Sequence, residues 1–152
     1  MNSEETIDVL NELIQINNDR IEGYETAAKE TEEGDLKVFF ADLQKTSLQC
    51  KEQLSAEVVK LGGTPTDDTK LTGKFFRVWM DVKAAINGKD RKAILESCEY
   101  GEDVAQETYQ DVLEDEQDNL SEAQIAIIQA QYLLLQADHE KVKFLRDTLV
   151  DV

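Results

Sequence analysis

The chain is poor in residues that break a backbone. Among 152 residues it has one proline, Pro65, and seven glycines. That scarcity favours long helices over many short strands. No apolar run reaches the roughly 18 residues that a membrane-spanning helix needs. Basic residues are few, 16 against 33 acidic ones, for a net charge of −17. A surface of that sign repels nucleic acid and anionic lipid, so neither is an expected partner. Only two cysteines occur, Cys50 and Cys98, and no C-x-x-C pair or glycine-rich phosphate loop. Both fall on apolar helical faces, which suits buried free thiols in a reducing compartment. The opening stretch MNSEETIDVL has neither the basic region nor the apolar core of an export signal, so a cytoplasmic location is expected.

What is present is helical periodicity. Hydrophobic residues make up 41% of the chain. A single domain of this length buries roughly 68–70% of its unfolded surface. Apolar residues at steps of three and four predict four long helices, at about 4–31, 35–61, 90–115 and 121–149, and a shorter one at about 74–87. Ser3, Asp35, Asp90 and Ser121 are the expected N-caps, and Ser121 with Gln124 reads as a capping box. Gly62-Gly63 closes the second helix. The turns after the first and third long helices are short. The link between the second and third is long and carries its own helix. The fold class that follows is all-α: a four-helix bundle with one long crossover in the middle, an arrangement found in ferritin-like proteins. A plain up-down bundle would not need so long a link.

Several polar residues interrupt the apolar stripes, in a pattern that repeats. Asn17 and Tyr24 are seven residues apart, as are Glu102 and Tyr109. A helix later in each half comes an i,i+3 pair, Ser47/Cys50 and then Gln136/His139. A di-metal bundle places a Glu on each of two helices and Glu-x-x-His on each of the other two. This chain supplies one inward carboxylate, Glu102, and its sole histidine, His139. Bridging two metals needs at least two carboxylates between them, which argues against a di-iron centre and against ferroxidase chemistry.

The polar positions must still be satisfied, because burying a neutral polar group unpaired costs on the order of 2–7 kcal/mol. The simpler outcome is a hydrogen-bonded layer of Asn17, Tyr24, Ser47, Cys50, Glu102, Tyr109, Gln136 and His139, with Glu102 meeting His139 and with Asn17 or Gln136 meeting Tyr24 or Tyr109. No cofactor is then expected. The alternative is a single divalent metal ion, such as zinc, held by Glu102, His139 and Cys50, with Gln136 as a weak neutral ligand. A cysteine nucleophile is disfavoured, since a thiol in the middle of a bundle lacks access.

The segments INNDRIEGYETAAKET, LSAEVVKLGGTP, GKFFRVWMDVKAAINGKDRKAILESCEYGEDVAQETY and DHEKVKFLRD resemble, in order and spacing, a small bacterial ferritin-like family known only as a domain of unknown function. The resemblance implies the four-helix fold with a helix in the crossover, brings no catalytic residues, and hints at a role in stress or envelope maintenance. Within the wider superfamily, Leu10-Asn11 before Asn17 and Tyr24, and Leu61, Gly63 and Pro65 after the second helix, are similar to bacterioferritin-like chains. Glu102, Ala105 and Tyr109 are similar to rubrerythrin-like ones. Ser47, Cys50, Asn17 and Gln136 stand where those proteins have metal ligands.

The function expected from these features is that of a non-catalytic, stress-linked binding or structural protein with a degenerate di-metal site. One alternative is a metal-binding or redox protein using Glu102 and His139. Another is an interaction module docking through the Phe75–Ile86 helix. That helix carries two adjoining apolar faces, Phe75/Trp79/Val82/Ile86 and Phe76/Met80, where a helix lying on its own bundle needs only one. Phe75, Phe76, Trp79 and Met80 are the candidate interface, and a homodimer or another protein partner is the expected use of it.

Overall fold

The computed structural model describes residues 3–69 and 74–148, and the described residues are helical with no strand. Helix α1 spans Ser3–Glu30, α2 Gly34–Lys60, α3 Lys74–Asn87, α4 Arg91–Asp115 and α5 Glu122–Asp147, with a single 3-10 turn at Gln117–Asn119.

The helix ends follow local chemistry. Asp90 caps α4 by accepting from the Ala93 amide at 3.1 Å. Ser121 and Gln124 form the reciprocal capping box of α5. At the end of α2, Gly62 takes a φ of +84°. The Gly63 amide then reaches back to Val58 O and that of Gly62 to Val59 O, so two terminal carbonyls are satisfied. The start of α2 differs from expectation. Its cap position is Glu33, without a side-chain cap bond. Asp35 instead receives the Arg91 guanidinium at 2.6 and 3.2 Å, because α4 begins beside it.

α1 packs along α2, and α4 along α5, as two antiparallel hairpins. Tyr24 stacks on Phe40 near one end of the first pair, and Gly63 lies against Ile7 at the other. The segment after α2 is tied to α1 by two asparagines. Asn11 donates to Thr64 O and accepts from the Thr66 amide, while Asn18 donates to Thr66 O and Asp68 O. This segment and α3 cover the outer side of α1, so its buried arc is wide, with Val9, Ile16 and Asn18 buried beside Leu10, Leu13, Ile14, Asn17 and Tyr24.

α3 lies across α1 and α4. Its buried stripe is Val78, Val82 and Ile86, with Trp79 half-buried at the edge. The stripe expected from the sequence was Phe75, Trp79, Val82 and Ile86, of which Val82 and Ile86 are buried as expected while Val78 lies beside them. The helix is rotated from this because Val78 seats against Gly101 of α4 and the Trp79 ring against Gly23 of α1. A Cβ on Gly101 would meet Val78 at 2.8 Å, and one on Gly23 would meet the Trp79 ring at 2.4 Å. The Phe75 side chain and Leu149, the last residue of the helix expected at 121–149, lie outside the described residues.

α5 is rotated too. Its buried face is Gln124, Ile128, Gln131, Leu135, Asp138 and Val142, a strict three-four alternation. Gln136 and His139, expected in the buried polar layer, are only half-buried, as is Tyr132. The apolar interior forms two clusters. One gathers around Leu10, Leu13, Leu54, Tyr109 and Ile128, and the other around Tyr24, Phe40, Leu43, Leu95 and Val142. Polar side chains lie between them.

Candidate functional site: a buried polar layer centred on Arg20

Arg20 projects from α1 into the middle of the bundle, with 2% of its surface exposed. Its Nε and Nη2 donate to Glu102 Oε1 on α4 at 3.3 and 2.9 Å. Nη2 also donates to Asp138 Oδ2 on α5 at 3.0 Å, and Nη1 to Ser47 Oγ on α2. One guanidinium thus ties all four long helices together. The planar fork of arginine suits this, since its donors are fixed in direction and it stays charged when buried. Tyr24, one turn on from Arg20, donates its hydroxyl to the same Glu102 Oε1, and its ring lies 5.5 Å from the guanidinium carbon. Lys141 Nζ stands 3.7 Å from the other oxygen of Asp138, closer to solvent.

A second, neutral relay sits one to two turns away. Asn17 donates to Leu13 O at 2.9 Å and to the Tyr109 hydroxyl at 2.8 Å. Tyr109 donates onward to Gln131 Oε1 at 2.8 Å, and Gln131 donates to Cys50 O and Gln53 Oε1 on α2. This chain too crosses from α1 through α4 and α5 to α2.

The electrostatics follow from burial and pairing. Desolvation pulls the Arg20 pKa down, but Glu102, Tyr24 and Asp138 outweigh it, and the net shift is upward. Burial, then the Glu102 carboxylate, push Tyr24 well above its ordinary value. Burial, then Cys50, do the same for Tyr109. Burial raises the Cys50 thiol to about 11 and raises Cys98 as well, with Glu102 adding to the second. Both thiols are free and buried. A thiol held protonated is neither a nucleophile nor a ready metal ligand.

Of the residues singled out from the sequence, the structure brings Asn17, Tyr24, Ser47, Cys50, Glu102 and Tyr109 to this layer. Asn17 meets Tyr109, one of the pairings foreseen. Glu102 does not meet His139. The imidazole is turned toward the outside of the α4–α5 seam, with Nε2 2.7 Å from Asp103 Oδ1 and 3.8 Å from Glu99 Oε1, and Nδ1 3.6 Å from Glu140 Oε1. Gln136 donates to Tyr132 at 3.1 Å instead of to Tyr24 or Tyr109. Both corrections have one cause: the rotation of α5 puts Gln131 and Asp138 inside and carries Gln136 and His139 outward.

The ligands expected for a single metal ion are not brought together: Glu102 faces Arg20 and Tyr24, while His139 faces Asp103 and Glu99, and burial disfavours the Cys50 thiolate. Among the described residues no group of three or more His, Cys, Asp and Glu side chains is placed to hold an ion. Arg20, Asp138 and Gln131 were missed by the sequence reading. Arg20 lies three residues after Asn17 and four before Tyr24, on the same helical face, which was the available signal.

The family model described as "Domain of unknown function (DUF2383)" matches residues 5–115, and the chain belongs to that family. The match takes in Asn17, Arg20, Tyr24, Ser47, Cys50, Glu102 and Tyr109, and stops at the end of α4. No curated protein matches the chain.

Proposed function

We propose that this protein is a ferritin-like bundle that acts by binding or as a structural element, without catalysis, and that an internal cation, Arg20, stands where proteins of that architecture hold metal. The bundle reading draws on the paired hairpins and on the ends of the central link. α2 finishes beside the start of α1, at Gly63 and Ile7, while α4 starts beside Glu33 and Asp35 at the start of α2. Those neighbours put the end of α2 and the start of α4 at opposite ends of the first hairpin, which is what one long crossover in that class requires.

The observation that carries the proposal is the guanidinium between Glu102 and Asp138, at 2.9 and 3.0 Å. A divalent ion sharing those carboxylates would sit about 4 Å from it. At an effective dielectric constant of about 20 the repulsion is roughly 8 kcal/mol, twice the unit-charge value. Arg20 and, at 3.7 Å from Asp138, Lys141 face the two carboxylates, and the guanidinium links the four helices. The buried thiols suit a reducing compartment such as the cytoplasm.

The test is iron oxidation by stopped flow, with elemental analysis of protein purified without a histidine tag. Oxidation no faster than buffer, and no metal retained in stoichiometric amount, are expected. Two irons oxidised per chain, or a metal held through dialysis, would overturn the proposal.

A further inference from the structure

α3 leaves an apolar surface uncovered. Phe76 and Met80, one turn apart, are 53% and 55% exposed. They border a groove of about 280 Å³ between α3 and α1. Trp79, Phe76 and Met80 form one side, and Gly23 and Ala27 form the other, where small side chains keep the wall low. Among the lining residues the acids Asp19, Glu22 and Glu30 of α1 outnumber the one base, the exposed Lys83 of α3, and of these acids Glu22 and Glu30 are exposed. They stand eight residues apart, about 12 Å along the helix axis at the usual rise.

A trough between two helices, with aromatic and methionine side chains inside and carboxylates along its edge, matches the way an amphipathic helix seats in a groove. A flexible methionine adapts to the anchor it meets. The charge decides between occupants. A second copy of this chain would bring another net −17 to a rim that is already acidic. A helix with lysine or arginine flanking its apolar face would instead be attracted. We propose that the α1–α3 groove binds a basic amphipathic helix of a partner protein, with one or two apolar anchors beside Trp79 and Met80 and basic side chains against Glu22 and Glu30. This rests on the binding role proposed above and names the chemistry of the partner.

The probe is a synthetic leucine–lysine helix with its leucines on one face. Its controls are a glutamate twin and a peptide of equal charge whose leucines are scattered around the helix. Trp79 is the sole tryptophan, so its emission reports occupancy directly, and anisotropy of labelled peptide gives the affinity. The amphipathic basic peptide is expected to bind at least tenfold tighter than the scattered one, and the glutamate twin not at all. Met80→Asp is expected to weaken binding at least tenfold although it adds negative charge. Thr26→Arg, at an exposed position on the groove wall, is expected to do the same by obstruction. Glu22→Gln with Glu30→Gln is expected to lower affinity severalfold and flatten the salt dependence. Equal binding of the scattered peptide, or indifference to both Met80→Asp and Thr26→Arg, would overturn the proposal as mere charge attraction. So would a dimer in light scattering that Met80→Asp dissociates, since a second copy would then own the groove. Iron oxidation would sink the role on which the proposal rests and leave the peptide measurements standing, so the two failures are distinct.

Discussion

Replacing Arg20 with methionine tests the layer most directly. Methionine is unbranched and of similar reach, so the change removes the charge and the donors more than the packing. Glu102 and Asp138 then remain in the interior, 0% and 2% exposed, with no cation between them. Ser47 loses its partner as well. Breaking a buried ion pair from one side costs about 3–5 kcal/mol. That is a large part of the roughly 5–15 kcal/mol by which a domain is stable. With a urea m-value of about 2 kcal/mol/M, the unfolding midpoint should fall by about 2 M, read by circular dichroism. The cause is then isolated by neutralising the carboxylates in the same background. Glu102→Gln keeps an acceptor for the Tyr24 hydroxyl, and Asp138→Asn removes the other charge, so the triple variant should regain at least half of the loss. A loss below about 1 kcal/mol for Arg20→Met would place the interaction in the range of an exposed ion pair and refute the reasoning. A triple variant no more stable than the single one would refute the electrostatic origin.

Three further outcomes follow from the geometry. His139→Leu should cost no more than about 1 kcal/mol, because its neighbour Asp103 is an exposed partner, and it should add to Glu102→Gln without coupling in a double-mutant cycle. Gly23→Ala should destabilise by about 1–3 kcal/mol, since its Cβ would fall 2.4 Å from the Trp79 ring, and should red-shift the tryptophan emission as the ring is displaced. Stability should fall as pH rises above 9. The unfolded Cys50 thiol ionises near 9.0 while the folded one stays protonated to about 11, so unfolding releases a proton in that window. The full loss is about 3 kcal/mol, Cys98 adds to it in the same sense, and Cys50→Ala should visibly flatten urea midpoints measured from pH 8 to 11.

The helices were legible in the sequence because their signals are local. The capping box at Ser121, the Asp90 cap, and Gly62 at the end of α2 each act within one turn. The α3 interval was legible for the same reason. The rotation of α5 was not. Tyr132 and His139 offer more apolar surface than Gln131 and Asp138, so periodicity alone favoured the wrong face. Gln131 and Asp138 go inside because Tyr109, Gln53 and Arg20 await them on other helices, and no local pattern carries that information. Arg20 escaped notice in a similar way. An arginine within an acidic surface helix reads as solvated until two carboxylates from distant segments are placed around it.

The polar layer and the α3 groove meet at two adjacent residues. Tyr24 gives its hydroxyl to Glu102, stacks on Phe40 at 5.8 Å, and takes the Trp79 ring edge-on at 5.1 Å. Gly23, beside it, is the only residue type that leaves room for that ring. Trp79 forms part of the groove wall, while Tyr24 is locked by the carboxylate that Arg20 also holds. The position of α3 is thus fixed from inside the bundle. A glutamate that accepts three hydrogen bonds on one oxygen holds the tyrosine, and the tyrosine holds the tryptophan. A groove built on so constrained a side chain is formed before any partner arrives, which lowers the ordering cost of binding. The charged layer is thereby joined, through Tyr24, to the side chain against which the exposed face of α3 is presented.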